Sequence, residues 1–188
     1  MPGFEVRSSL RVAEAAFLDL FEEEVETPDG ELITRYTVRH PGAVVIVPVD
    51  DEGRVVMVRQ FRVAARRSLL ELPAGKREPD EPPEITAARE LEEEVALRPG
   101  SLVKLAEFYN SPGFTDEYTH VYLASDLLPG QTDLEAKSEE RHMEVVRLPF
   151  DVVDALVGSR ELVDAKSLIG LELARRYLDG TYQGCESP

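Results

Sequence analysis

The sequence predicts an α+β fold, with sheet packed between helices. Three observations predict it. Short apolar or alternating runs bounded by Gly, Pro and Asp recur through the N-terminal half and again after residue 100. One long segment, Pro83–Arg98, carries the apolar spacing of a helix instead. Two more helical stretches, Phe150–Gly158 and Asp164–Leu178, close the chain. Strands clustered apart from helices are the pattern of α+β and sandwich architectures.

The first ~40 residues read as a small antiparallel β unit, residues 1–42, followed by a larger domain, residues 43–188. Its candidate strands are Phe4–Arg11, Ala15–Val25 and Glu31–Arg39, with a turn at Pro28-Asp29-Gly30 between the last two. Ala43–Val49 is almost wholly apolar, so it is expected deep in a core sheet. Asp50-Asp51-Glu52-Gly53 turns the chain into Val55–Arg62, and the two runs are expected to pair as a hairpin. Ser68–Leu72 is a further strand, ended by Pro73-Ala74-Gly75. In the helix over Pro83–Arg98, two prolines suit the first turn and Ala87, Leu91 and Val95 form an apolar stripe. Pro99-Gly100 stops it. Strands resume at Leu102–Tyr109 and Thr119–Ala124, a polar acidic loop spans Gly130–Arg141, and Glu144–Leu148 is the last strand.

Composition narrows the function classes. The 188 residues carry 37 acidic against 21 basic side chains, a net charge of −16. Nonspecific nucleic-acid binding lacks its phosphate-neutralising term on such a surface, so no nucleic-acid partner is expected. No apolar run approaches a membrane span, and the N-terminus lacks a secretory pattern. The single cysteine, Cys185, cannot form an internal disulfide. The expectation is a cytoplasmic protein with no membrane partner. His40, His120 and His142 are unclustered, so no histidine-built zinc site is expected.

The acid is concentrated in one place. Glu90, Glu93 and Glu94 stand at i, i+3 and i+4, so a helix puts all three on one face. Like charges at that spacing repel, and Arg89, at i+4 from Glu93, relieves only part of it. Converging carboxylate oxygens suit Mg²⁺ or Mn²⁺, which take one or two carboxylates plus phosphate oxygens. The preceding turn, Leu72-Pro73-Ala74-Gly75-Lys76, offers a backbone carbonyl to the same ligand set.

The spacing around these glutamates resembles the Nudix box: Gly, five residues, Glu, seven residues, Arg-Glu, a bulky aliphatic, any residue, Glu-Glu, any residue, Gly, a bulky aliphatic. Gly75, Glu81, Arg89, Glu90, Leu91, Glu93, Glu94 and Leu97 match in register, and Ala96 departs where the family has Gly. The resemblance implies a Nudix α/β/α sandwich with a mixed central sheet. It implies Glu90 and Glu94 as direct metal ligands with the Ala74 carbonyl, and Glu93 on a metal or its bound water. Arg89 would orient the glutamates and Glu81 would support them. The implied metal is Mg²⁺, with Mn²⁺ or Zn²⁺ as alternatives. The implied chemistry is attack of water on a nucleoside diphosphate linked to another group.

Three features outside the box resemble the ADP-ribose pyrophosphatase subfamily. Ser111-Pro112-Gly113-Phe114 places a proline sixteen residues after Ala96, a rigid turn suited to holding Phe114 over a pocket. Arg59-Gln60-Phe61-Arg62 and Glu71-Leu72-Pro73-Ala74-Gly75-Lys76 resemble the same group, with Arg59 a diphosphate contact and Glu71 on substrate or metal-bound water. The N-terminal β unit resembles one that joins a two-fold homodimer. The subfamily's general base looks like a loop glutamate past the box. Glu139 and Glu140 fall near that place, Glu139 preferred, with Glu93 next. The implied activity is hydrolysis of ADP-ribose to AMP and ribose 5-phosphate. A GDP-mannose-type pyrophosphatase and a ligand-sensing module without hydrolysis are the alternatives.

Overall fold

Ala43–Pro48 holds no charged side chain, and every one of its residues is buried. A strand apolar on both faces needs cover on both faces. That requirement organises the larger of two units into which the chain divides: residues 43–107 with 120–188, and residues 1–42 with 108–119. The computed structural model describes residues 3–131 and 142–185.

The smaller unit contains β1 (Glu5–Ala15), β2 (Leu18–Glu26) and β3 (Leu32–Arg39), paired in that order as one antiparallel sheet. The Pro28-Asp29-Gly30 turn forms as expected. The Gly30 N–H donates to the Thr27 carbonyl at 2.9 Å, and Gly30 takes φ 87°, which suits a residue without Cβ. β1 runs four residues beyond its expected end, and all of it is exposed.

The larger unit adds β4 (Ala43–Pro48), β5 (Arg54–Arg62), β6 (Arg67–Glu71), β7 (Ala74–Lys76), α1 (Pro83–Val95), β8 (Leu97–Arg98), β9 (Ser101–Tyr109), β10 (Tyr118–Ser125), β11 (Leu128–Pro129), β12 (Glu144–Pro149), α2 (Phe150–Gly158) and α3 (Ala165–Leu178). Residues 108–119, at the facing ends of β9 and β10, count with the smaller unit. One sheet has the order β7-β4-β10-β9, a second β12-β5-β6, and β11 pairs with β8. Val44 and Ile46 pack with Ala87, Leu91 and Val95 of α1 and with Tyr122 and Ala124. The alternate residues face α3, whose Gly170 lies so close that a Cβ would stand 2.8 Å from Leu72 Cδ1 and 3.2 Å from Val47 Cγ2. Helix thus covers β4 on each face, giving the expected α/β/α layering.

The expected hairpin between the Ala43 and Val55 runs is not there. The turn forms, with the Asp50 N–H donating to Arg54 O at 2.9 Å and the Gly53 N–H to Asp50 O at 2.8 Å. Only one bridge follows, Val49 to Val55, and the strands then enter different sheets. β5 is flanked by β6 and β12, and β4 by β7 and β10. Wholly apolar runs carry no face alternation that would specify a partner.

The helix also stops earlier than expected. Its last residue is Val95 rather than Arg98, because Ala96 adopts the left-handed conformation (φ 57°, ψ 36°) and its N–H closes back on Glu92 and Leu91 carbonyls. Leu97–Arg98 then pairs with Leu128–Pro129. A left-handed cap is the usual place for Gly, and a Cβ there costs about 1 kcal/mol. Ala96→Gly is therefore expected to stabilise the protein by about 1 kcal/mol, about 2–4 °C in Tm for a chain of this size. Calorimetry with no rise in Tm would show that the cap is unstrained.

Candidate active site

Arg89 is the hub of the acidic face. Its Nε and Nη2 donate to the two oxygens of Glu81 at 3.1 and 3.0 Å, and its Nη1 donates to Glu90 Oε1 at 2.7 Å. The same nitrogen reaches Glu93 Oε1 at 3.4 Å, and Nη2 reaches the Lys76 carbonyl at 3.4 Å. A planar fork serves several carboxylates at once in a way an ammonium does not. The salt-bridged Arg89 guanidinium holds the Glu81 carboxyl down at about 2, helped by the Thr86 hydroxyl. Glu81 in turn raises Arg89 above its ordinary value.

Glu94 is handled separately. Its Oε2 accepts the Ala74 N–H at 3.1 Å. Glu90 and Glu94 are each only 4% exposed, so two carboxylates lie at the join of α1 and β7. The join is close because Gly75 has no side chain. A Cβ at Gly75 would stand 2.0 Å from Glu90 Cδ. β7 is fixed by pairing Val45 with Ala74 and Val44 with Gly75.

A second ion pair lies beside the first. Arg62 donates from Nε and Nη2 to the two oxygens of Glu71, at 2.9 and 2.6 Å. Glu71 is 1% exposed and faces Val58 across the β5–β6 ladder, on the side that packs against α1. The Glu71 bond raises the Arg62 pKa, and the charges of Glu94 and Asp164 add to it. Asp164 caps α3 by accepting the Ser167 N–H at 2.9 Å and hydroxyl at 2.8 Å, and Ser167 Oγ accepts the Leu72 N–H at 2.8 Å. The strand end before the turn is thereby tied to α3.

The candidate donors, Glu90, Glu93, Glu94 and the Ala74 backbone, are all hard oxygens. Among the described residues no group of three or more His, Cys, Asp or Glu side chains is placed to hold a metal ion by itself. Protein ligands alone would leave an open coordination sphere, which suits a cation that shares its shell with water and phosphate oxygens. The residues fit a divalent metal on those terms.

Residues 38–166 match the NUDIX domain model. The chain belongs to the NUDIX family. Among similar proteins, the ADP-ribose pyrophosphatase of Bacillus subtilis (strain 168) is 44% identical over 157 residues, 82% of this chain and 83% of its own. That of Mycobacterium tuberculosis (strain ATCC 25618 / H37Rv) is 39% identical over 169 residues, 89% of this chain and 81% of its own. A crystal structure of an ADP compounds hydrolase superposes with a TM-score of 0.82 over 96% of both chains, at 23% identity, a likeness of fold.

The NUDIX box accounts for one part of the expected site and not the rest. Ala74, Glu81, Arg89, Glu90, Glu93 and Glu94 are brought together by α1 and β7. Arg59 lies on β5, half-exposed, with Nε 3.8 Å from Glu144 of β12. Pro112, Gly113 and Phe114 are exposed on a loop of the smaller unit, hydrogen-bonded to β3. Glu139 and Glu140 lie outside the described residues. The sequence reading missed two residues that support the site, Arg62 as partner of Glu71 and Ser167 as partner of Leu72. Arg62 had a signal: it shares the parity of Val56 and Val58 at the end of an apolar strand. Ser167 had none.

The Glu81 pair makes stability depend on acid pH. Its carboxyl is depressed from 4.5 to about 2. The contribution is therefore complete above about pH 4.5 and is lost as pH falls through about 2. Glu81→Gln should lower Tm at pH 6 in a metal-free buffer, and the gap to wild type should close as pH falls across that window. A gap independent of pH would assign the loss to packing.

Proposed function

We propose that this NUDIX protein hydrolyses ADP-ribose to AMP and ribose 5-phosphate in the cytoplasm, with Mg²⁺ as its metal and Mn²⁺ or Zn²⁺ as substitutes. The observation that carries the hydrolytic part is the junction at Gly75, where buried Glu90 and Glu94 meet the Ala74 backbone. The choice of ADP-ribose is supported by the relatives from Bacillus subtilis and Mycobacterium tuberculosis, which carry that name over four-fifths of their length. Intact Glu90, Glu93 and Glu94 favour catalysis over ligand sensing.

A divalent cation there supplies charge stabilisation to the diphosphate and acidifies water. Glu90, Glu94 and the Ala74 carbonyl would hold it, with Glu93 on the same cation or its water. Arg89 keeps Glu90 and Glu93 in place, and Glu81 keeps Arg89 in place. Arg59 would contact the diphosphate with a bidentate fork. Glu71 would contact substrate or metal-bound water, and its pair with Arg62 fixes that guanidinium beside it. Pro112, Gly113 and Phe114 would contact the nucleoside or sugar. Glu139 or Glu140 would take the proton of the attacking water. A water–phosphorus bond then forms as the bridging phosphorus–oxygen bond breaks, and the two phosphates leave on AMP and ribose 5-phosphate.

Steady-state kinetics on a panel of nucleoside diphosphate compounds tests the substrate. ADP-ribose should show the highest kcat/KM. A tenfold advantage for GDP-mannose, NADH or a diadenosine polyphosphate, about 1.4 kcal/mol of transition-state binding, would overturn the assignment. In the same assay Glu94→Gln should fold normally and lose most activity. Glu139→Gln or Glu140→Gln should lower kcat by ~10²-fold while ADP-ribose still binds. If both loop variants keep more than half of wild-type kcat, the base lies elsewhere and Glu93 is next.

The smaller unit is proposed to form a homodimer. All of β1 is exposed, including Val6, Leu10 and Val12, which are 61%, 62% and 46% accessible in the single chain. Light scattering that returned the mass of one 21.0 kDa chain would count against it.

A further inference from the structure

The loop that carries Pro112, Gly113 and Phe114 has little packing of its own. All three residues are exposed, and a Cβ on Gly113 would meet nothing within 4 Å. Its turn is closed by its own backbone, with the Phe114 and Thr115 N–H groups donating to Ser111 O at 3.1 and 3.0 Å, and bonds to β3 hold that turn against the sheet. The Val38 N–H donates to Phe114 O at 2.7 Å, and the Asp116 N–H donates to Val38 O at 3.2 Å, forming a parallel bridge between Val38 and Thr115.

The Asp116 side chain then clamps the end of β3. Oδ1 accepts the His40 N–H at 2.8 Å, and Oδ2 accepts from Arg39 Nη1 at 3.2 Å. The other arm of the Arg39 fork, Nη2, donates to Glu23 Oε1 at 2.6 Å. Glu23 is 6% exposed on β2, and the same oxygen accepts from the Ser9 hydroxyl of β1 at 3.3 Å. The Arg39 guanidinium also sits 5.6 Å above the Phe21 ring. One line of contacts therefore runs from β1 and β2 through Arg39 to the loop.

The β2–β3 pairing is carried by backbone bonds, in register from Asp19–Arg39 to Glu26–Leu32. The side chains of Arg39 and Asp116 are 47% and 38% exposed, and ion pairs so open to solvent contribute little to folding stability. The loop's own backbone bonds close its turn, so the side-chain clamp biases how that turn is held against β3.

We infer that Arg39 and Asp116 are positioning residues, which hold the Ser111–Thr115 loop in the arrangement that recognises the substrate. The inference rests on the reading that this loop contacts the substrate. It predicts that loss of the clamp weakens recognition while leaving the chemical step alone, because no group of the Glu90–Glu94 site is altered.

Kinetics on whichever diphosphate the wild type hydrolyses fastest tests it, so that a wrong substrate assignment does not affect the result. Arg39→Ala and Asp116→Ala should each raise KM about tenfold, about 1.4 kcal/mol, with kcat within twofold. Tm should be nearly unchanged for Asp116→Ala and lower for Arg39→Ala, which takes the Arg39 partner away from buried Glu23. The double variant should be no worse than either single one. Asp116→Asn keeps an acceptor for the His40 N–H and should fall between wild type and Asp116→Ala. It also serves as the readout if an alanine variant fails to fold. Phe114→Ala should raise KM in the wild type and add little in the Asp116→Ala background. The inference is overturned if Phe114→Ala raises KM while the clamp variants do not, or if kcat and Tm fall together with KM unmoved. If Phe114→Ala leaves KM unchanged, the loop does not touch substrate, and both the reading and the inference fall.

Discussion

Arg89 is the constraint on which the rest of the site depends. Three glutamates on one face of a thirteen-residue helix repel one another, and two of them are nearly removed from water. Arg89 bonds Glu90 and Glu93 on its own helix and Glu81 ahead of it, so the helix and its approach are locked together. Removing a partner from a buried pair of this kind costs about 3–5 kcal/mol, because a carboxylate is left uncompensated. Glu94 accepts the Ala74 N–H and lies within the electrostatic reach of Arg62. The acidic face is thus held by guanidinium groups and by the backbone of the preceding strand.

Much of this was legible in the sequence, for a physical reason. Gly75 and the glutamate spacing are local features. A helix sets which carboxylates share a face, and the missing Cβ sets how close the preceding strand can come. The strand positions were legible too, since apolar runs and turn residues mark them. Pairing was not. Val44–Val47 and Val55–Val58 are apolar throughout, so nothing in them told β4 from β5 or assigned either to a sheet. The helix end was missed because Ala96 takes a conformation that Ala disfavours, and the two-residue strand after it, Leu97–Arg98, pairs with a second two-residue strand, Leu128–Pro129, that is distant in sequence.

The Arg62–Glu71 pair shows a different limit. Both residues were visible in motifs, and only the register of β5 against β6 brings them to the same side of the sheet. In isolation Glu71 reads as a carboxylate free to meet water or substrate. In the fold each of its oxygens also accepts from Arg62, so a cation stands beside it. A carboxylate's surroundings can therefore be set by one neighbour that lies nine residues away in sequence.

The hydrogen bond from Leu72 to Ser167 spans 95 residues. It fixes the strand end that leads into Ala74 and Gly75, yet its acceptor comes from the first turn of the last helix. During synthesis the chain emerges N-terminus first, so the Gly75 turn and α1 are available long before their anchor is. Closing a contact this distant in sequence carries the loop-closure entropy of the chain between its ends. The turn leading into Ala74 and Gly75 therefore gains this tie only once α3 has been made. A chain interrupted before Ser167 would contain the whole box and still leave the Leu72 N–H without its acceptor.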